Sequence, residues 1–147
     1  MPRHIVLVGL PGAGKSSVGK LVAEALNTFV IDIDSLLVRE MGMPVSQIIG
    51  MVGEPRFREM ERDAVKAAQA RDPCVIVPGG GWAAQPGQLE GAKQAGLVIY
   101  LRCLPSTALN VVSRVRPALC WRGWTRASGC RRFSRNGSRF TSRRTIR

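Results

Sequence analysis

The sequence has a single histidine, His4, and a single tyrosine, Tyr100. Its four cysteines (Cys74, Cys103, Cys120 and Cys130) include no C-x-x-C pair, so a zinc site is not expected. No apolar run approaches the roughly 18 to 20 residues that a membrane span needs. Met1 to Leu10 begins basic, but its apolar stretch is short and ends in glycine, which does not make a secretion signal. A cytoplasmic chain with buried or incidental thiols and no disulfides is therefore expected. Acid is missing from one region altogether. Residues 120–147 hold nine arginines, no lysine and no Asp or Glu, a net of +9. Residues 1–119 hold 13 basic and 10 acidic residues, a net of +3, and the two add to the chain's +12. A basic chain points to nucleic acid or anionic membrane, but here only the tail supports that, not the body.

What is present describes one soluble domain. The 147 residues are 45% apolar and 22% charged, enough for one core and too few for a second. Ile5 to Val8 is a short β-branched run ending at Gly9, as in a buried parallel strand. Val18, Leu21, Val22, Ala25 and Leu26 then recur at helical spacing. Phe29 to Ile31 predicts a second strand running into Asp32-Ile33-Asp34. Ser35 to Met41 and Val45 to Met51 predict short helices, and Phe57, Met60, Ala64, Val65 and Ala68 predict the apolar stripe of a longer one stopped by Asp72-Pro73. Cys74 to Val77 and Leu97 to Leu101 predict two more strands, with a weak helix over Gln85 to Ala95 between them. Ser106 is the expected N-cap of a helix reaching about Arg114. This alternation predicts an α/β fold with a central parallel sheet and helices on both faces. From Cys120 onward the pattern stops, and an Arg-rich tail without order is expected beyond the 1–119 domain.

Gly9 to Ser16, GLPGAGKS, matches G-x-x-x-x-G-K-[ST] between a strand and an amphipathic helix. Such a loop turns backbone N–H groups toward phosphate oxygens at a helix N-terminus. Gly12, Ala13, Gly14, Lys15, Ser16 and Ser17 are the expected nucleotide-binding residues. Lys15 would bridge β- and γ-phosphates, and Ser16 would ligate Mg²⁺. Asp32 and Asp34 are expected on the same side of an extended segment, one near Mg²⁺ and one taking a proton from an attacking hydroxyl. The alternative makes Asp34 the cap of the next helix. Arg58 and Glu61, at i and i+3, can pair so that the guanidinium is aimed at a carboxylate; without context such a charge run is a solvated face. Gly79-Gly80-Gly81 would let a ligand lie on the backbone, or form a plain turn. Arg116, in Arg116-Pro117, is placed to neutralise charge on a transferring phosphoryl group.

In this order, the P-loop, D-x-D, G-E-x-x-F-R-x-x-E, G-G-G and R-P resemble the shikimate kinase family from about residue 4 to 119. The resemblance implies a P-loop kinase-type three-layer fold and transfer of the ATP γ-phosphate, with Mg²⁺, to the 3-hydroxyl of shikimate in the chorismate route to aromatic amino acids. It implies a monomer acting on a small molecule, without nucleic acid or membrane. It assigns Lys15, Asp34 and Arg116 to catalysis, Asp34, Arg58, Gly79, Gly80 and Gly81 to shikimate, Arg116 also to the nucleotide, and Ser16 and Asp32 to the metal.

After the R-P the family carries a leucine-rich lid, an R-x-P-x-Y-like stretch with a second carboxylate clamp, a final strand and a last helix. Residues 120–147 contain no proline and no tyrosine. A reading-frame slip near Leu119 is expected: in G+C-rich codons the neighbouring frame is compatible with L-L-A-G-L-D-P-R-E-R-L-Q-A-L-L-A-E-R-E-P-F-Y. Impaired activity, poor solubility and a missing last strand and helix follow as expectations. Two further readings stand beside this one. One is another small-molecule P-loop kinase of the gluconate type. The other is an inactive kinase-like protein whose nine arginines and four interleaved aromatics bind nucleic acid.

Overall fold

The computed structural model describes residues 3–108 and 110. The β-branched run near the N-terminus forms β1 (His4–Gly9), and the helical repeat after it forms α1 (Lys15–Ala25). Then follow β2 (Val30–Asp32), α2 (Ile33–Met41), α3 (Val45–Val52), α4 (Glu54–Gln69), β3 (Val75–Val77), a 3₁₀ turn (Trp82–Ala84), α5 (Gln88–Ala95) and β4 (Gly96–Leu101). The four strands are all parallel and lie in the order β2-β3-β1-β4.

Alternation along the strands sends side chains to two different layers. On one face, Leu7, Val75 and Val77 pack with Ala23, Val18 and Val22 of α1. On the other, Val6, Val8 and Ile76 pack with Ile33 and Leu37 of α2, Ile48 of α3, Phe57 and Val65 of α4, and Trp82. Burying a side chain of Phe57's size contributes about 1.5–3 kcal/mol, which explains why the amphipathic α4 lies along this face. Ala92 of α5 joins the same layer. The chain therefore leaves β1 toward one face and β3 toward the other. Since β1 and β3 are neighbours, a crevice opens between their carboxyl ends, where α/β sheets bind ligands.

Four expectations are corrected. The segment after β2 is not extended: the strand stops at Asp32, whose carboxylate accepts from the Ser35 N–H at 3.0 Å and caps α2. Asp34 lies in the first turn of that helix, so Asp32 and not Asp34 is the cap. Aspartate is favoured at both places, because it satisfies an orphan donor and complements the helix dipole. The weak helix over 85–95 starts only at Gln88, after the 3₁₀ turn. Ser106 is not a cap, since residues 105–108 and 110 are helical; Pro105 takes the first position, where its missing N–H costs nothing. The remainder of that helix, Arg116, Cys120, Cys130 and the tail from 120 to 147 lie outside the described residues. Among the described residues Cys74 and Cys103 are free, Cys74 buried and its thiol pushed up by burial.

Candidate functional site

The glycine loop closes on its own lysine. Gly12 and Gly14 take positive φ, 79° and 83°, which the turn into α1 requires and which β-carbon-bearing residues rarely adopt. Gly14 is the N-cap of α1 and offers no side-chain cap, so the first-turn N–H groups are left for an anion. Lys15 is only 8% exposed. Its Nζ donates to the carbonyls of Gly9 and Leu10, each at 3.1 Å. Burial pushes its pKa down, while the charges of Asp34, Asp32 and Glu61 oppose that. Three carboxylates thus act on the loop lysine although they come from two other segments.

The Ser16 hydroxyl donates to Asp32 Oδ2 at 2.5 Å, so the end of β2 meets the start of α1. Hydroxyl and carboxylate oxygens are the ligands a hard divalent ion prefers. Among the described residues no three His, Cys, Asp or Glu side chains cluster as a closed metal cage. An ion held by one or two protein oxygens, with the remainder from water and phosphate, fits that donor set.

Across the crevice, Arg58 Nη1 donates to Glu61 Oε2 at 2.7 Å, and Nη2 to Glu54 Oε1 at 3.1 Å. Burial weighs against the Arg58 charge, but the bonds to the two glutamates outweigh it and raise its pKa. Arg58 is therefore a cation with two anchors and 27% of its side chain still exposed, not a solvated surface charge. Glu61 is 0% exposed. Burial pushes its pKa up and the charge of Asp34 adds to this; Arg58 and the amide of Gln85 pull it down without cancelling the rise.

The three glycines after β3 are tight for a reason beyond ligand approach. A Cβ on Gly79 would meet Glu61 Oε1 and lie 2.9 Å from Asp34 Oδ1. On Gly80 it would meet the ring of Pro11, and on Gly81 it would lie 2.9 Å from Arg58 Nη2. The loop thus touches the glycine loop through Gly80, Asp34 and Glu61 through Gly79, and Arg58 through Gly81. Lys15, Asp34, Arg58 and the triple glycine come together at one crevice, with Ser16 and Asp32 at its edge.

Sequence reasoning took Glu61 only as a neighbour for Arg58. Its place on the apolar stripe with Phe57, Val65 and Ala68, all buried, is the signal that marks it as part of the site. Gln85 was missed, and nothing in the sequence announces it. Its Nε2 donates to Glu61 Oε2 at 3.4 Å, and its Oε1 accepts from Arg62 Nη1 at 3.1 Å.

A parallel sheet with a glycine loop after its first strand, a buried lysine at the following helix and a carboxylate-rich crevice beside it defines a P-loop protein of the phosphate-binding α/β class. The family model described as shikimate kinase matches residues 11–122. The shikimate kinase of Geobacter metallireducens is 36% identical over 114 residues, covering 78% of this chain and 62% of the relative. That of Sulfurihydrogenibium sp. is 38% identical over 108 residues, covering 74% and 65%. The chain thus spans less than two thirds of the length of these curated relatives. A solved structure, shikimate kinase from Acinetobacter baumannii in complex with shikimate, superposes with a TM-score of 0.81 at 28% identity, over 92% of this chain and 76% of the other. The chain belongs to the shikimate kinase family. Among the described residues no helix is long and apolar enough to cross a membrane.

Proposed function

We propose that this chain transfers the γ-phosphate of ATP to the 3-hydroxyl of shikimate, as a cytoplasmic monomer, within the chorismate route to aromatic amino acids. The observation that carries the reading is the crevice itself: Lys15 on the phosphate side feels the charges of Asp34 and Glu61 on the side where Arg58 waits for an acid. The loop N–H groups from Gly12 to Ser17 hold the phosphates. Phosphate oxygens are better acceptors for Lys15 than the two carbonyls it now meets, and they repay the cost of its burial. Ser16 and Asp32 would hold Mg²⁺, which supplies charge neutralisation on the phosphates when bound.

On the acceptor side, Arg58 grips the shikimate carboxylate while Gly79, Gly80 and Gly81 border the ring. Asp34 accepts from the ring hydroxyls and takes the proton of the attacking one. The hydroxyl oxygen bonds to the γ-phosphorus, the bond to the bridging oxygen breaks, and ADP leaves with that electron pair. Arg116 would steady the phosphoryl charge; it lies outside the described residues.

The chain divides into a kinase domain, residues 1–119, and a tail, 120–147, translated from a neighbouring frame. The tail's nine arginines and its lack of acid and proline support this. Coding DNA across codons 110–147, continued in all three frames, is expected to carry the lid and second clamp in another frame; their absence from every frame overturns the slip. ADP release by the full chain tests the activity. Weak release that depends on shikimate, and not on gluconate, is expected. Release unchanged by shikimate overturns the substrate, and turnover matching an intact relative overturns the impairment.

A further inference from the structure

Glu61 holds Arg58 in place, yet it is an awkward anchor. It is wholly buried, and among the described residues its Oε1 has no hydrogen-bond partner. A carboxylate in that setting tends to take a proton, and a neutral acid anchors a guanidinium poorly. Charges reach it from several elements. Asp34 at the start of α2 disfavours its ionisation. Lys15 of α1 and Arg58 of α4 favour it. Glu54, one turn before Arg58, competes for the same guanidinium.

One neutral side chain completes the set. The Gln85 amide lies between two charges of opposite sign, its N–H₂ toward the Glu61 carboxylate and its carbonyl toward the Arg62 guanidinium. The two charges agree on this orientation, which polarises the amide in the direction that favours an ionised Glu61. Gln85 precedes α5, whereas Glu61 and Arg62 lie on α4, so the amide also ties the segment after the triple glycine to the helix carrying the clamp.

From this arrangement we infer that Gln85 is a positioning residue for the Arg58 clamp: its amide couples Arg62 to the buried Glu61 and keeps Glu61 a carboxylate fixed against Arg58. Gln85 touches neither phosphate nor acceptor and acts only through Glu61. The consequence for acceptor binding rests on the function proposed above; the coupling to Glu61 does not.

The test uses the full chain with Gln85→Met, which keeps the length and removes both hydrogen bonds. The carboxyl carbon of Glu61, followed by NMR against pH in the free protein, is expected to titrate at higher pH in the variant. The KM for shikimate is expected to rise about tenfold on the acid side of that titration, the size expected for a lost hydrogen bond to a charge. The KM for ATP and kcat at saturating acceptor should stay within about twofold. A merely structural role would move both KM values together and without pH dependence, and that result overturns the inference, as does an unmoved Glu61 titration. Gln85→Glu is the second variant: its own carboxylate facing Glu61 should push the titration higher still, and a fall would overturn the coupling. If the unmutated chain shows no shikimate-dependent turnover, the proposed function fails, and the Glu61 titration alone still decides the coupling.

Discussion

The two sides of the crevice are built by opposite means. The proposed phosphate side is one contiguous piece, Gly9 to Ser16 and the start of α1, and would work mainly through backbone N–H groups and glycine conformations. The proposed acceptor side is assembled from α2, α4, the triple glycine after β3 and the segment before α5, and would work through side-chain charge. A backbone site keeps its shape as long as the turn forms. A site of buried charges depends on every partner being present, because removing one leaves another unpaired in low dielectric.

That difference predicts unequal responses to mutation. The largest is expected from Lys15→Met. With phosphoryl charge unopposed, turnover should fall roughly a hundred- to a thousandfold, while the KM for the acceptor changes little. A comparable rise in the acceptor KM would show that the two sides are not separable.

Arg58→Met should cost about 3–5 kcal/mol of stability at neutral pH, since it strands the buried Glu61. The sign with pH follows from Glu61, whose folded pKa is pushed by burial above the ordinary glutamate value of 4.5. Between those two values the folded state binds the extra proton, so this group's contribution to stability falls as pH rises through the window. Removing Arg58 takes away a cause that lowers the Glu61 pKa, so the window widens upward and the penalty shrinks on acidification. Urea unfolding at about pH 5 and about pH 8 measures it, and Arg58→Met with Glu61→Gln should recover most of the loss and remove the Glu61 window. A pH-independent loss would mean that Glu61 is not the stranded charge.

The smallest effects separate glycines by what surrounds them. Gly50 sits inside α3 with open space where a Cβ would go, so Gly50→Ala should stabilise by about 0.5–1 kcal/mol. Gly79→Ala should instead raise the acceptor KM, because the new methyl displaces Glu61 or Asp34. Equal behaviour of the two in thermal melts and kinetics would mean the loop after β3 has room to spare.

Legibility in the sequence divides along the same line. The strands were readable to within a residue or two, because a buried parallel strand must be a short apolar run and little else in the chain is. Asp32 and Asp34 were found as a pair, but their geometry was misjudged, because helix capping won over strand continuation. The helix start after Leu104 was misplaced by two residues, since proline at the first helical position competes with serine as the cap.

The sequence by itself determined the parallel α/β class and the phosphate loop, since both rest on local rules: hydrophobic period, glycine turns and a lysine at a fixed offset. It also marked Arg58 and the triple glycine as candidates. Only the tertiary structure decided that Glu61 is wholly buried, that Gly79 and Gly81 are narrow because Glu61, Asp34 and Arg58 press against them, and that Gln85, 24 residues from Glu61, joins their network. The physical reason is that burial and charge coupling depend on which distant segments pack together, and no local pattern carries that information.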